Sequence, residues 1–268
     1  MITLDATPTR PTISRIRRAT AWTTQLTFIG RSLRRSYRDP EELIMAMVLP
    51  VMLMLLFTYV FGGAIATDGS YVDYVVPGTI LLCAGFGAAS TAIAVANDMN
   101  NGVINRFRTM PVRSAMVIGG HVVASLARNL FATAVVIVVA LAIGFRPSAG
   151  VLEWLGVLGL VGLYILAITT LFATLGLLAK SAAAANNYGF VILFLPYLSS
   201  AFVQVDTLPS WLQPIADHQP ITPIVETLRA LLFDLPVERG WVAVGWCLLI
   251  LVGSAIWASW LFPRRRPS

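Results

Sequence analysis

The chain has 268 residues, of which 57% are hydrophobic and only 12% charged, and its mean hydropathy is +0.77. A soluble domain carries roughly 25% charged residues, so this composition excludes a soluble globular protein and indicates a polytopic membrane protein. The net charge of +6 does not indicate nucleic-acid binding, because the basic residues are not gathered on a soluble domain. We therefore expect an all-α membrane protein that forms a single transmembrane domain over residues 1–268.

The N-terminal segment predicts an amphipathic helix on the cytoplasmic membrane surface, within a cytoplasmic tail over residues 1–42. On a helix from Ser14 to Arg38, apolar side chains form one stripe and arginines lie opposite. The stripe comprises Trp22, Leu26, Ile29, Leu33 and Tyr37, and the opposite face carries Arg31, Arg34, Arg35 and Arg38. These arginines either bind lipid phosphate and set the topology or contact a soluble partner, and they can do both.

Six apolar runs follow, and they predict six transmembrane helices, because a bilayer core about 30 Å thick needs roughly 20 apolar residues of helix. The predicted spans are Leu43–Phe61, Val75–Val95, Val122–Phe145, Trp154–Ala179, Asn187–Val203 and Trp241–Phe262. Together they form a bundle over residues 43–262, followed by a tail over residues 263–268. The fifth run is the shortest. Prolines within the runs are tolerated when neighbouring helices cover the kink.

The distribution of basic residues predicts the orientation of these spans. Arginines concentrate in the N-terminal segment, in the connection between the second and third spans and in the C-terminal tail. The opposite connections carry only Arg146, Arg229 and Arg239, together with most of the acidic residues. Because positively charged connections stay in the cytoplasm, we expect a multi-pass protein of the inner membrane with both termini cytoplasmic.

A short polar segment, Asn101–Pro111, separates the second span from the third. Gly102 is placed to end the second helix. Arg106 and Arg108 flank Phe107, so an aromatic side chain with cationic neighbours is presented to the cytoplasm. The segment is either an ordinary loop whose arginines set the topology or the docking site of a soluble partner.

The connection between the fifth and sixth spans, Asp206–Glu238, is called the insert below. It is apolar in places, but five prolines prevent it from crossing the membrane. A helix is expected to begin at Thr222-Pro223, with an apolar face formed by Ile224, Leu228, Leu231 and Leu232. We expect an extracellular re-entrant helical hairpin that acts as an outer gate, with a surface loop as the alternative. The candidate gate residues are Pro209, Trp211, Pro220, Thr222, Pro223, Glu226 and Arg229.

No catalytic, metal-binding or nucleotide-binding motif occurs in the sequence. The only lysine, Lys180, lacks the glycine spacing of a phosphate-binding loop, so this chain is not expected to bind ATP. Cys83 and Cys247 lie in apolar runs and are interpreted as small apolar residues. Asp217-His218 is expected to form a hydrogen bond within its loop. For Arg128 we favour contact with lipid headgroups over a substrate or gating contact.

Two blocks of sequence resemble the membrane subunits of ABC-2 type exporters, and most closely the daunorubicin-resistance-type permeases. The residues that carry the resemblance are Asp98–Pro111, Gly119-Gly120, Arg128-Asn129 and Leu208–Leu232. The resemblance extends over nearly the whole chain. His121 and Ser125 depart from it, since the closest relatives are expected to carry arginine and an acid there; these departures concern the substrate subgroup and not the family.

The resemblance implies that the chain is the permease subunit of an ATP-driven exporter and not an enzyme itself. A separate nucleotide-binding subunit would hold ATP and Mg²⁺ and would dock on the cytoplasmic side, next to the surface helix. The coupling segment implied by the family comprises Asp98, Asn101, Gly102, Arg106, Phe107, Arg108, Met110 and Pro111. A second permease copy, forming a homodimer, or a similar permease would complete the transport path.

The expected substrate is an amphipathic drug-like molecule or a lipid, because the spans are apolar and lack fixed interior charge. Antibiotic resistance or lipid export would follow, and a polysaccharide or glycolipid exporter of the same broad family is an alternative. A stand-alone secondary efflux transporter is a second hypothesis, but none of the 13 acids lies at the centre of a predicted span. A membrane-embedded enzyme is disfavoured because no nucleophile, base and metal occur together.

Overall fold

The computed structural model describes residues 40–62, 70–100 and 114–264. Every regular element in these residues is a helix, so the all-α prediction is confirmed for them. The α-helices are α1 (Pro40–Leu56), α2 (Tyr71–Asn100), α3 (Ser114–Ile143), α4 (Val151–Leu178), α5 (Ala182–Leu193), α6 (Gln213–His218), α7 (Ile221–Leu232) and α8 (Gly240–Arg264). A π-helical turn, Phe57–Phe61, extends α1, and 3₁₀ turns lie at Leu195–Leu198 and Val205–Thr207.

Four helices in the described residues are long and apolar enough to cross a membrane: α2, α3 from Gly119, α4, and α8 as far as Leu261. The second, third, fourth and sixth predicted spans are therefore confirmed as helices of sufficient length and apolar composition. Many of their outward side chains are apolar and more than half exposed, as lipid contact requires: Phe131, Val138, Leu158, Leu249 and Ile256. Met47–Phe61 and Ala182–Leu198 are shorter apolar helical segments at the positions of the first and fifth predicted spans.

The fifth predicted span, Asn187–Val203, is not a continuous helix and is corrected by the structure. α5 begins at Ala182 and ends at Leu193, and the chain then tightens into a 3₁₀ turn. Pro196, at the second position of that turn, has no N–H, and its ring clashes with an α-helical carbonyl of the preceding turn. The residues beyond the turn therefore lead into the insert instead of completing a span.

The long helix α2 lies at the centre of the bundle, where it packs against α1, α3, α4, α5 and α7. Its first turn is held by the carbonyl of Ser70, which accepts hydrogen bonds from the N–H groups of Asp73 and Tyr74 at 3.0 and 3.4 Å. From there to its last turns most of its residues are buried. These five helices are therefore positioned by α2, whereas α8 packs mainly against α4 and α7.

Glycine occupies three points at which α2 and a neighbour approach closely. A Cβ added to Gly78 would lie 2.7 Å from the Cβ of Ala201, and one added to Gly87 would overlap the side chain of Asn129. On α4, a Cβ added to Gly176 would lie 2.5 Å from the carbonyl oxygen of Ala92 on α2. Close backbone approach at small residues is a main source of helix packing in membranes, because lipid supplies no hydrophobic force between helices.

Replacing Gly176 with valine is expected to push α4 away from α2 and to destabilise the bundle by about 1–3 kcal/mol, the usual cost of overpacking. The matched control is Gly159→Val on the same helix, because a Cβ there meets no atom within 4 Å. Thermal unfolding in detergent, followed by circular dichroism, should show a lower midpoint for G176V and a midpoint near wild type for G159V. Equal midpoints would contradict the packing described here.

Candidate functional site

The insert lies over the end of the bundle at which α2 begins. We call this the insert end, and the end at which α2 stops and α3 starts the loop end. The Tyr71 hydroxyl, on α2, donates to the carbonyl of Phe202 at 2.8 Å, in the turn that leads into the insert. The N–H of Ser148, between α3 and α4, donates to the carbonyl of Leu232 at 3.0 Å. The insert is therefore fastened to two separate parts of the bundle.

The core of the insert is α7, which packs among α2, α4, α6 and α8. It begins at Ile221, directly before the predicted start at Thr222-Pro223. The predicted apolar face is confirmed: Ile224, Leu228 and Leu232 are completely buried, and Leu231 packs against the same core. This burial excludes the alternative of a surface loop for α7.

Thr222, which is completely buried, joins α7 to two neighbouring segments. Its hydroxyl donates to the carbonyl of Ala216 in α6 and accepts a hydrogen bond from the N–H of Ser200 at 3.3 Å. Nearby, the Gln219 amide donates to two carbonyls of the turn Leu195–Leu198, at 3.1 and 2.7 Å. Backbone carbonyls left without helical partners are thus satisfied by side chains of the insert.

Arg229 of α7 fixes the insert to the central helix. Its Nη2 donates to the carbonyl oxygens of Tyr74 at 3.1 Å and Ser200 at 3.0 Å. Its guanidinium carbon lies 3.9 Å from the centroid of the Tyr74 ring, a distance at which the ring attracts the cation. Burial lowers the pKa of Arg229, whereas the nearby Tyr74 and Glu226 raise it. The side chain remains protonated because arginine titrates far above neutral pH.

A second arginine, Arg239, binds two acids of the insert. Its Nη1 donates to Asp217 Oδ1 at 2.7 Å and to Glu226 Oε2 at 3.3 Å, and the hydrogen bond to Asp217 raises the pKa of Arg239. These side chains are partly exposed, so each ion pair contributes only about 0.2–1 kcal/mol and mainly fixes geometry. The predicted hydrogen bond within the loop is confirmed, because His218 Nδ1 lies 2.9 Å from the carbonyl of Pro214.

A polar cavity of about 670 Å³ opens at the insert end, between the start of α2 and the insert. This volume lies within the range of small-molecule binding sites. The lining residues are Tyr74, Ser200, Gln204, Val205, Asp206, Gln213, Pro214, Asp217, His218, Glu226 and Arg229. Across the part of the chain that the structure describes, no cluster of three or more His, Cys, Asp or Glu side chains could hold a metal ion.

At the other end, a row of side-chain hydrogen bonds along the contact of α2 and α3 forms what we call the polar seam; three of its bonds join the two helices and the fourth, between Asn129 and Ser125, lies within α3. Its bonds are His121 Nε2–Asp98 Oδ2 at 3.1 Å, Thr91 Oγ1–Ser125 Oγ at 2.8 Å, Arg128 Nη2–Ser90 Oγ at 2.7 Å and Asn129 Nδ2–Ser125 Oγ at 3.3 Å. The guanidinium of Arg128 is thus held by α2, an arrangement that the sequence did not predict. Its expected contact with lipid headgroups stays a prediction.

The structure describes only part of the predicted sites. The arginines of the surface helix and the coupling segment from Asn101 onward lie outside the described residues, whereas Asp98 is buried in the last turns of α2. Of the predicted gate residues, Glu226 and Arg229 line the cavity. Pro220, Thr222 and Pro223 form the start of α7, and Pro209 and Trp211 lie on the exposed edge of the insert.

Sequence reasoning missed the partners of these residues. No local signal paired Tyr74 with Arg229, although the backbone carbonyl of Tyr74 accepts the hydrogen bond of Arg229 from 155 positions away. Arg239 was used only to assign topology, yet it binds Asp217. The sequence offered one indication: Tyr74 and Arg239 both lie at the margins of apolar runs, on the predicted extracellular side, where most acidic residues are.

The apolar helices and the insert packed at one end define a helical multi-pass membrane protein. The chain belongs to the ABC-2 type transporter family, which matches residues 25–233. The daunorubicin resistance ABC transporter permease protein DrrB1 of Streptomyces coeruleorubidus is 28% identical over 238 residues, which cover 88% of this chain and 83% of that protein. The predicted resemblance is confirmed.

Two further relatives fit the same family. The probable doxorubicin resistance ABC transporter permease protein DrrC of Mycobacterium tuberculosis (strain ATCC 25618 / H37Rv) is 26% identical over 235 residues, 86% of this chain and 80% of that protein. The inner membrane transport permease YadH of Escherichia coli (strain K12) is 26% identical over 202 residues, 69% of this chain and 75% of that protein. All three relatives are transport permeases by name.

Replacing Arg229 with methionine removes the bonds that tie α7 to α2 and should lower the free energy of unfolding by about 1.5–3 kcal/mol, the range for hydrogen bonds to charged groups. Arg146→Met is the matched control: Arg146 also donates to two backbone carbonyls, at 2.8 and 2.9 Å, but is exposed, so water can replace it. Detergent unfolding curves compare the two variants. A loss of equal size in both would contradict the anchoring role of Arg229.

Proposed function

We propose that this chain is the membrane-spanning permease subunit of an ATP-driven exporter. Family membership supports this proposal, and so do relatives named as resistance permeases for daunorubicin and doxorubicin. A separate ATPase subunit would bind ATP and Mg²⁺. The permease would lie in the inner membrane with both termini cytoplasmic, as the distribution of arginines indicates.

In this proposal the chain crosses the membrane six times, and the fifth crossing is a short helix that the re-entrant insert completes. α1 with its π-helical turn covers Pro40–Phe61 and is about 30 Å long at the usual rise, enough for a bilayer core. The helical segment Ala182–Leu198 is only about 25 Å long by the same measure. This segment would therefore end before the outer surface of the bilayer, and the insert would occupy the rest of the bilayer core. The insert would be covered by protein there, because backbone polar groups at membrane depth must be shielded from lipid.

The observation that carries the proposal is the continuity of α2. The helix runs without a break from Tyr71, under the insert, to Asn100, the residue before Asn101–Pro111. Thirty residues of helix span about 45 Å. A movement imposed on the coupling segment by a docked ATPase subunit would thus reach the insert through one rigid element.

In this mechanism the insert acts as the outer gate. Arg229 holds α7 against Tyr74 in the resting arrangement, and Arg239 holds Glu226 and Asp217 together at the rim of the cavity. Tilting of α2 would change the distance between Tyr74 and Arg229 and so open or close the cavity. A second permease copy would supply the other wall of the path, and the substrate would be an amphipathic drug-like molecule or lipid.

A secondary transporter is the competing function. Proton or sodium coupling uses ionisable groups near mid-membrane. In the four long helices of the described structure the acids lie near helix ends, at Asp73, Asp98 and Glu153. This placement favours a transporter whose energy comes from a partner subunit.

The double substitution Arg106→Ala/Phe107→Ala is expected to weaken binding of the ATPase subunit at least about tenfold, because an aromatic residue beside arginine forms a typical interface hot spot. The chain is purified with an affinity tag in mild detergent, and the co-purifying ATPase activity is measured. The control Arg265→Ala/Arg266→Ala removes two residues from the same predicted side of the membrane.

The proposal predicts a stoichiometric ATPase subunit with the wild-type chain and with the tail variant, and its loss with the R106A/F107A variant. Co-purification of the subunit with all three chains would refute the docking site. A wild-type chain that exports a fluorescent amphiphile without any ATPase, and stops when an uncoupler is added, would establish the secondary transporter instead.

A further inference from the structure

A hydrogen bond between two side chains joins α2 to α3 next to the loop end. His121 Nε2 donates to Asp98 Oδ2 at 3.1 Å, and the two side chains are only 13% and 6% exposed. The pair lies at the end of the polar seam nearest the connection between the helices. Nothing in the gate mechanism described above uses it, and the resemblance to the family assigns no role to His121.

The position of Asp98 is electrostatically unfavourable for an unpaired acid. It lies in the last turns of α2, where the helix dipole places partial negative charge. Its carboxylate is also nearly buried, which adds a desolvation cost. Donation from His121 offsets both effects, and it therefore favours helical final turns of α2 while α3 is held alongside.

The remaining bonds of the polar seam extend this contact away from the loop end in antiparallel order. Thr91 binds Ser125 at 2.8 Å, and the absence of a side chain at Gly87 leaves room for Asn129. Beyond these residues the buried side chains of α3 are mostly apolar, as at Val136, although Thr133 is also buried. The hydrogen bonds of the polar seam thus lie near the loop end, whereas apolar packing makes up most of the contact towards the insert end.

We propose that Asp98 and His121 form a clasp that holds the ends of α2 and α3 together as one rigid hairpin. A displacement of the coupling segment then moves both helices as a unit, instead of unwinding the last turns of α2. This inference rests on the proposed function, because the docked ATPase subunit is what displaces the coupling segment. His121 touches no substrate in this scheme; it is a positioning residue that acts through α2 and α3.

The first test uses the full-length chain alone and measures amide hydrogen exchange at residues 95–100 and 119–124. Asp98→Ala and His121→Ala should each raise exchange at least about tenfold, because local opening free energy sets the exchange rate. The double alanine variant should add little, since both changes remove one interaction. The swapped pair Asp98→His/His121→Asp should restore protection, because it rebuilds the contact and places an imidazole at the negative end of the α2 dipole.

Thr91→Val is the matched control, because it removes a buried bond of the same seam without touching the clasp. It should leave exchange at residues 95–100 and 119–124 near the wild-type rate. Equal acceleration by T91V, or wild-type rates in D98A and H121A, would overturn the clasp. Failure of the swapped pair to restore protection would overturn it as well.

The second test measures transport per ATP hydrolysed in the complex with the ATPase subunit. D98A and H121A should lower this ratio severalfold while ATP hydrolysis continues, and the swapped pair should restore it. An unchanged ratio despite faster exchange would overturn the transmission role. If the wild-type chain binds no ATPase subunit but the exchange results hold, the clasp stands and the proposed function is the part that fails.

Discussion

Close approach of neighbouring backbones to α2 is the constraint on which the rest of this structure depends. Lipid does not drive helices together, so a helix surrounded by protein in a bilayer must be held by dense packing and by hydrogen bonds. Gly78 brings α2 against the turn before the insert, Gly87 brings it against Asn129 in the polar seam, and Gly176 brings α4 against Ala92. The same three contacts therefore position both ends of the candidate transport machinery.

The two ends of α2 differ in what they hold. At the insert end the Arg229 guanidinium lies against backbone carbonyls and the Tyr74 ring. This interaction therefore depends on the position of α7 more than on an opposing charge. At the loop end a carboxylate meets an imidazole, an interaction that depends on both side chains being present. Polar groups in a bilayer must find hydrogen-bond partners within the protein, and α2 supplies such partners at the insert end and at the loop end. A helix fixed at each end by specific bonds and along its length by packing is suited to transmit displacement.

The sequence could predict much of this fold, because apolar runs and the Thr222-Pro223 start are local signals. It could not predict where the fifth helix ends, because a hydropathy scale does not take account of backbone hydrogen bonds. Pro196 has no N–H to donate, and the α-helix ends before it. The pairs Arg229–Tyr74 and His121–Asp98 also escaped prediction, because each joins two helices whose relative register only packing decides. His121 stood out as a departure from the family pattern, yet nothing local identified its partner. The surface helix and the segment Asn101–Pro111 stay predictions, since they lie outside the described residues.

The central claim is that α2 carries movement from a docked ATPase subunit to the insert. The most direct measurement is amide hydrogen exchange at residues 70–78 and 221–232 in the assembled complex, with and without a non-hydrolysable ATP analogue. The account predicts that the analogue changes protection at both segments, and that the R106A/F107A substitution abolishes this change. Unchanged protection at the insert in a complex that is competent for transport would contradict it.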